Sequence, residues 1–128
     1  AYLPQNPLDL LYCTSVGEEC SRNDEDWSLQ RGTTEKLFQS LLSTSSETHP
    51  RDLSEGGRLL LAFAIAYARK PSVLLLDEPT RGLDFHTKNL LANLLIAIKN
   101  EARIVVTTHD QNFAFALTDN VVRVRDVA

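Results

Sequence analysis

Asp77 and Glu78 stand side by side at the end of an aliphatic run, Val73-Leu74-Leu75-Leu76, and Pro79 follows at once. Adjacent carboxylates of this kind can divide the work of nucleotide hydrolysis, one holding Mg²⁺ and the other orienting the attacking water. The run is bounded by Pro71 and Pro79 and reads as a buried parallel strand. Asp77 then falls at the strand's C-terminal end, where open α/β sheets place their ligands, and Glu78 is the next side chain out. A strand ending in two solvated acids would look the same in isolation, so the neighbouring segments must decide.

Four further groups could take part. Leu53-Ser54-Glu55-Gly56-Gly57-Arg58 runs straight into an apolar helix from Leu59 to Arg69. Backbone amides at a helix N-terminus bind anions, so Ser54 and Gly56 are placed to hold a γ-phosphate, while Ser54 as N-cap is the structural alternative. Gln5 lies in Pro4-Gln5-Asn6-Pro7, where prolines fix an extended backbone, and its amide could reach Mg²⁺ or the attacking water. His109 follows a second apolar run, Ile104 to Thr108, and could donate to the γ-phosphate while holding Glu78 and the water in line. Asp84, ending Arg81-Gly82-Leu83-Asp84, could contact a partner subunit or merely cap the next helix.

The elements that must position these residues follow from periodicity. From Leu53 onward the pattern is helix, strand, helix, strand, helix, strand, as an α/β layer requires. Leu90, Leu91, Leu94, Leu95 and Ile98 recur at helical spacing and form one face, with Lys88, Asn89 and Asn93 turned outward and Lys99 at the C-terminal end. Asp110 can cap a helix through Ala116, and Val121-Val122-Arg123-Val124-Arg125 partly alternates, as an edge strand would. Pro7 to about Pro50 is polar and mixed. There Ser21 to Asp26 reads as a loop or helix start, Glu35 to Leu42 as a helix, and Ser43 to Pro50 as a loop.

Thirteen basic against seventeen acidic residues give a net charge of −4, which disfavours direct nucleic-acid binding, since phosphate neutralisation needs clustered Lys and Arg. The longest apolar run, Leu59 to Ala68, is shorter than the roughly 18 residues of a spanning helix and reads as buried. Cys13 and Cys20 have no metal-site partner pair and read as free thiols.

In this order and at these separations, the segments resemble the second half of the nucleotide-binding domain of ABC ATPases. Gln5 matches the Q-loop, Leu53 to Gly57 the signature motif, Val73 to Asp77 the Walker B strand followed by Glu78, Arg81 to Asp84 the D-loop, and His109 the switch histidine. Tyr2 to Pro7, Ser15 to Glu19 and Asp77 to Asp84 look most like the ATPase components of energy-coupling factor transporters, the cobalt and vitamin importers. The resemblance implies an α/β fold, part of a RecA-like P-loop NTPase core with parallel strands plus a helical subdomain. Residues 1–7 would be the Q-loop, 8–70 the helical subdomain with the signature motif and its helix, and 71–128 the C-terminal half of the core. Glu78, His109 and Gln5 would be catalytic. Ser54, Gly56, Gly57 and Asp84 would bind ATP, and Asp77 with Gln5 would bind Mg²⁺. The usual signature is L-S-G-G-Q, whereas Glu55 and Gly57 here replace its first Gly and its Gln, and a glutamate beside a phosphate repels it unless the side chain points away.

No G-x-x-x-x-G-K-[ST] loop occurs in the 128 residues. The phosphate cradle, its lysine and the Mg²⁺-ligating Ser/Thr (the Walker A half) would belong to a segment before Ala1, so the chain reads as a C-terminal piece of a longer polypeptide. The expectation is a piece of an ATPase that powers import of a small solute, itself inactive, with a second ATPase domain and transmembrane subunits as partners. It would sit in the cytoplasm at the inner face of the membrane. Lacking its covering strands and helix, it would expose apolar surface from the Val73 and Ile104 strands and self-associate. A soluble non-transport ABC ATPase, or a degenerate module that binds nucleotide or a partner, is the alternative.

Overall fold

In the computed structural model, which describes residues 1–118 and 120–124, Tyr2–Leu3 forms β1. A helical segment follows, with α1 at Val16–Asp26, α2 at Thr33–Leu41 and α3 at Glu55–Ala68. Alternation of strand and helix completes the order: β2 at Val73–Asp77, α4 at Phe85–Ile98, β3 at Arg103–Thr107 and α5 at Gln111–Leu117. The three strands form one parallel sheet in the order β1-β2-β3. Tyr2 pairs with Leu75, and Asp77 pairs with Thr107 at the C-terminal edge. This is the expected α/β arrangement.

Short side chains set the helix starts. Ser15, Ser54, Asp84 and Asp110 are N-caps, each accepting from an amide in the first turn that would otherwise lack a partner. Ser21 to Asp26, expected as a loop or helix start, is instead the second half of α1. Tertiary bonds override the low helix propensity of that polar run. Asp24 is buried and accepts from the amides of Gly32 and Thr34 and from the Thr34 hydroxyl, while the Asn23 amide donates to Thr34 Oγ1 and to the Ile65 carbonyl.

Two cores meet on α3. Leu59, Ala62 and Phe63 pack with Leu3, Leu74, Leu76, Leu91, Leu95 and Phe113 on one face of the sheet. Leu61 and Ala64 pack with Val16, Cys20 and Phe38 from α1 and α2. β2 therefore departs from the fully buried strand expected of its composition. Leu74 and Leu76 are buried, but Val73, Leu75 and, on β3, Val105 are 38, 41 and 48% exposed. This is the apolar surface expected on the Val73 and Ile104 strands. Its members are the alternate residues, because successive side chains point to opposite faces.

Leu91, Leu95 and Ile98 of α4 are buried as the helical spacing predicts, and Asn89 and Asn93 are exposed. Lys88 departs from the outward placement and turns to Asp110. Val121 to Val124 form no strand, and among the described residues β3 pairs only with β2; Arg125 lies outside the described residues. Cys13 and Cys20 are free thiols, and burial pushes the Cys20 thiol up to about 12. Among the described residues no helix is long and apolar enough to cross a membrane.

Candidate functional site

β2 ends at Asp77, and the chain then takes a left-handed turn at Glu78, whose φ is 47°. A non-glycine residue in this region costs roughly 1–3 kcal/mol and persists only where its surroundings fix it. Here the Glu78 amide donates to the Thr107 carbonyl at 2.9 Å, which extends the β2–β3 pairing one step past the strand. The turn removes Glu78 from the strand's alternation and brings its carboxylate to the end of β3.

There it meets His109. Glu78 Oε2 accepts from the His109 amide at 3.3 Å, and Glu78 Oε1 lies 3.2 Å from His109 Nε2. The Glu78 side chain is 19% exposed and the imidazole 98%, so the ring stands in solvent, tethered through the carboxylate. Both residues line an open cavity of about 660 Å³ together with Gln5, Thr80, Arg81, Gly82, Lys88 and Asp110. Gln5, Glu78 and His109, far apart in sequence, thus share one cavity.

Asp77 is placed differently. Its pairing with Thr107 sets it on the open face of the sheet, where Oδ1 accepts from Thr107 Oγ1 at 2.8 Å and Oδ2 from the Tyr2 hydroxyl at 3.3 Å. These neutral donors leave the carboxylate's charge uncompensated, and each oxygen keeps a free lone-pair direction. No group of three His, Cys, Asp or Glu among the described residues could hold a metal ion. Mg²⁺ does not require one, because it is commonly held by one or two carboxylates with waters and substrate phosphates. Asp77 offers one such carboxylate, whereas Gln5 lines the Glu78 and His109 cavity, whose lining does not include Asp77.

Ser54, Gly56 and Gly57 form a separate group at the start of α3. Ser54 Oγ accepts from the Gly57 amide at 3.0 Å, so the capping role expected as the alternative is realised. Gly57 is buried, and a Cβ there would stand 3.3 Å from Leu42, Leu53 and Ser54, so a side chain in place of this glycine has little room. The Glu55 side chain reaches Gly82: a Cβ on Gly82, whose φ is 75°, would lie 1.7 Å from Glu55 Oε2. Gly56 in turn presses on Thr87, whose Cγ2 would be 2.8 Å from an added Cβ. The start of α3 is therefore seated on the loop that leads into α4 and on the first turn of α4. Asp84 caps α4 by accepting from the Thr87 amide at 2.7 Å, and that bond holds its carboxyl below the usual carboxylate range.

Sequence reasoning gave no role to Lys88, Thr80 and Arg81, and read Asp110 only as a cap. All four line the cavity. The Lys88 ammonium lies 2.9 Å from Asp110 Oδ2, and the Thr80 and Thr108 hydroxyls are 3.4 Å apart. Their position within the Glu78 to Lys88 and Thr108 to Asp110 segments was the available signal, but pairing between those segments is invisible in a linear pattern.

The fold is thus a parallel α/β sheet that carries a carboxylate and a histidine in contact beyond its C-terminal edge. A family model described as "AAA domain, putative AbiEii toxin, Type IV TA system" matches residues 24–114. The chain belongs to that family. It is 47% identical, over 94% of its length, to a "Putative ABC transporter ATP-binding protein" of Streptomyces avermitilis, of which it covers 22%. It is 34% identical to another of that description from Brucella suis, over 98% of this chain and 54% of the relative. The chain thus spans between about a fifth and about half of the length of these relatives. Its fold superposes with a TM-score of 0.75 on the solved "Dimeric structure of a post-hydrolysis state of the ATP-binding cassette MJ0796 bound to ADP and Pi", at 23% identity, covering 90% of this chain and 54% of that one.

Proposed function

We propose that the chain is the half of an ABC-type ATPase that holds the catalytic carboxylate, the switch histidine and the signature motif, in a machine that drives import of a small solute. The observation that carries this reading is the Glu78–His109 contact at the end of parallel strands, with Gln5 on the same cavity. Glu78 orients the attacking water and takes its proton, and the small exposure of its side chain limits alternative poses. His109 holds Glu78 through its amide and, as the Nε2–H tautomer, through its ring; that single N–H would pass from Glu78 to the γ-phosphate when nucleotide binds, while the amide keeps Glu78 in place. Asp77 and Gln5 would hold Mg²⁺, which when bound neutralises charge developing on the transferred phosphoryl group.

Ser54, Gly56 and Gly57 lie outside that cavity, which suits a contact with nucleotide held by a second ATPase domain; Asp84 would stand at the same junction. The dimeric cassettes that share the fold support this partner. Transmembrane subunits would bring the assembly to the inner face of the membrane, and Tyr2 to Pro7 with Asp77 to Asp84 favour an energy-coupling factor importer. The relatives' printed names support the transport assignment.

Alone, the 128 residues contain no phosphate loop and should not turn over ATP. Losing several charge-assisted hydrogen bonds, each worth about 1.5–3 kcal/mol, moves micromolar binding beyond millimolar. The test is phosphate release from the chain alone and from a cassette that joins it to a phosphate-loop half. Turnover only in the cassette, reduced at least about tenfold by His109→Ala, is expected. Turnover indifferent to His109→Ala contradicts the assignment.

A further inference from the structure

We propose that Lys88 is a positioning residue that fixes the His109 turn against the segment carrying Glu78; this rests on the ATPase reading above. Only Thr108, His109 and Asp110 connect the end of β3 to the start of α5. The imidazole of His109 is almost wholly exposed, so packing does not place it; besides its two contacts with Glu78, its position follows from where the neighbouring backbone is held. That backbone is held on both sides. Thr108 Oγ1 lies 3.4 Å from Thr80 Oγ1, and Asp110 is paired with Lys88 at 2.9 Å.

The two oxygens of Asp110 do different work. Oδ1 accepts from the Phe113 amide at 3.0 Å and caps α5, while Oδ2 takes the Lys88 ammonium. The Phe113 bond and then Lys88 hold this carboxyl below the usual carboxylate range. The pair is partly screened from solvent, with side-chain exposures of 34 and 22%, and it borders the Glu78 and His109 cavity. Thr80 and Lys88 both lie in the stretch from Glu78 into the first turn of α4. The stretch that carries the carboxylate therefore also carries both anchors of the histidine turn. Removing Lys88 frees one anchor, leaves the cap intact and touches neither Glu78 nor His109.

The experiment uses the complete cassette as wild type, Glu78→Gln, Lys88→Met, Lys88→Arg, Asp110→Asn and Lys88→Met with Asp110→Asn. It measures ATP hydrolysis and amide hydrogen exchange over residues 108–113. Asn retains a capping oxygen, so Asp110→Asn removes the charge and spares the cap. Lys88→Met should lower kcat about tenfold with KM for ATP within about twofold, because the loss is one of geometry at the reacting centre. Lys88→Arg should restore kcat to within about twofold, and the double variant should be no slower than Lys88→Met. Exchange at His109 to Phe113 should quicken in Lys88→Met and return in Lys88→Arg. Wild-type kcat in Lys88→Met, or losses that multiply in the double variant, overturns the proposal. A wild-type cassette without Glu78-dependent turnover removes the ATPase reading instead. Exchange then decides the pair alone: unchanged protection in Lys88→Met overturns it.

Discussion

The helical layer and the strand layer share α3 but differ in what they leave open. Around Val16, Phe38 and Leu61 the helices close on themselves, and the buried polar groups of Asn23, Asp24 and Thr34 bond one another. Among the described residues no buried side-chain polar atom lacks a partner. The sheet is finished on one face by α3 and α4, while Tyr2, Val73, Leu75 and Val105 stand exposed on the other. Asp77 ends that open face, and the Glu78–His109 contact lies just past the same strand ends. The region that closes on itself is thus distinct from the open region that carries the proposed chemistry.

Substitutions separate the two regions by size of effect. Phe38→Ala, in the closed core, should destabilise by about 4 kcal/mol in denaturant unfolding, because a fully buried ring leaves a cavity. A loss under about 1 kcal/mol would show that the helical layer is loosely packed. Asp24→Ala strands the Gly32 and Thr34 amides and should cost about 2–3 kcal/mol by the same measurement. Near-native stability there would mean that the network is replaceable by water.

Gly82→Ala tests the seat between the start of α3 and the loop into α4. Its left-handed φ should cost about 1 kcal/mol, and the flexible end of Glu55 can move aside. Glu55→Gly combined with Gly82→Ala should therefore recover little stability. Full recovery in thermal unfolding would show that the clash with the carboxylate, rather than the backbone conformation, causes the loss. Leu75→Lys, on the open face, should change stability by less than about 0.5 kcal/mol. It should nevertheless reduce self-association of the 128-residue chain in light scattering; equal association would place the contact elsewhere.

The sequence read most clearly where periodicity and punctuation coincide. Val73 to Asp77 and Ile104 to Thr107 announced themselves by aliphatic runs, and Leu91, Leu95 and Ile98 by helical spacing before Lys99. Ser54, Asp84 and Asp110 read as caps because each precedes an apolar helix. Where local chemistry and tertiary bonding disagree, the reading failed. Ser21 to Asp26 looks like a loop or the start of a helix until Asn23 and Asp24 find buried partners within α1, and Lys88 looks solvated until Asp110 arrives from beyond β3. The positive φ of Glu78 has no sequence signal, since Glu carries no preference for that conformation. For the site, Gln5, Glu78 and His109 were legible as candidates, but their meeting in one cavity was not.

The most direct test of the central claim, that Glu78 is the residue that positions water in an ATPase site, is Glu78→Gln in the complete cassette. Titration calorimetry with Mg-ATP and a phosphate-release assay would be run on the same preparation. The substitution keeps the side chain's shape and its contact with the His109 amide while removing the proton acceptor. Binding should stay within about threefold of wild type while hydrolysis falls at least about a hundredfold. Equal hydrolysis in the two proteins would remove Glu78 from catalysis and contradict the account.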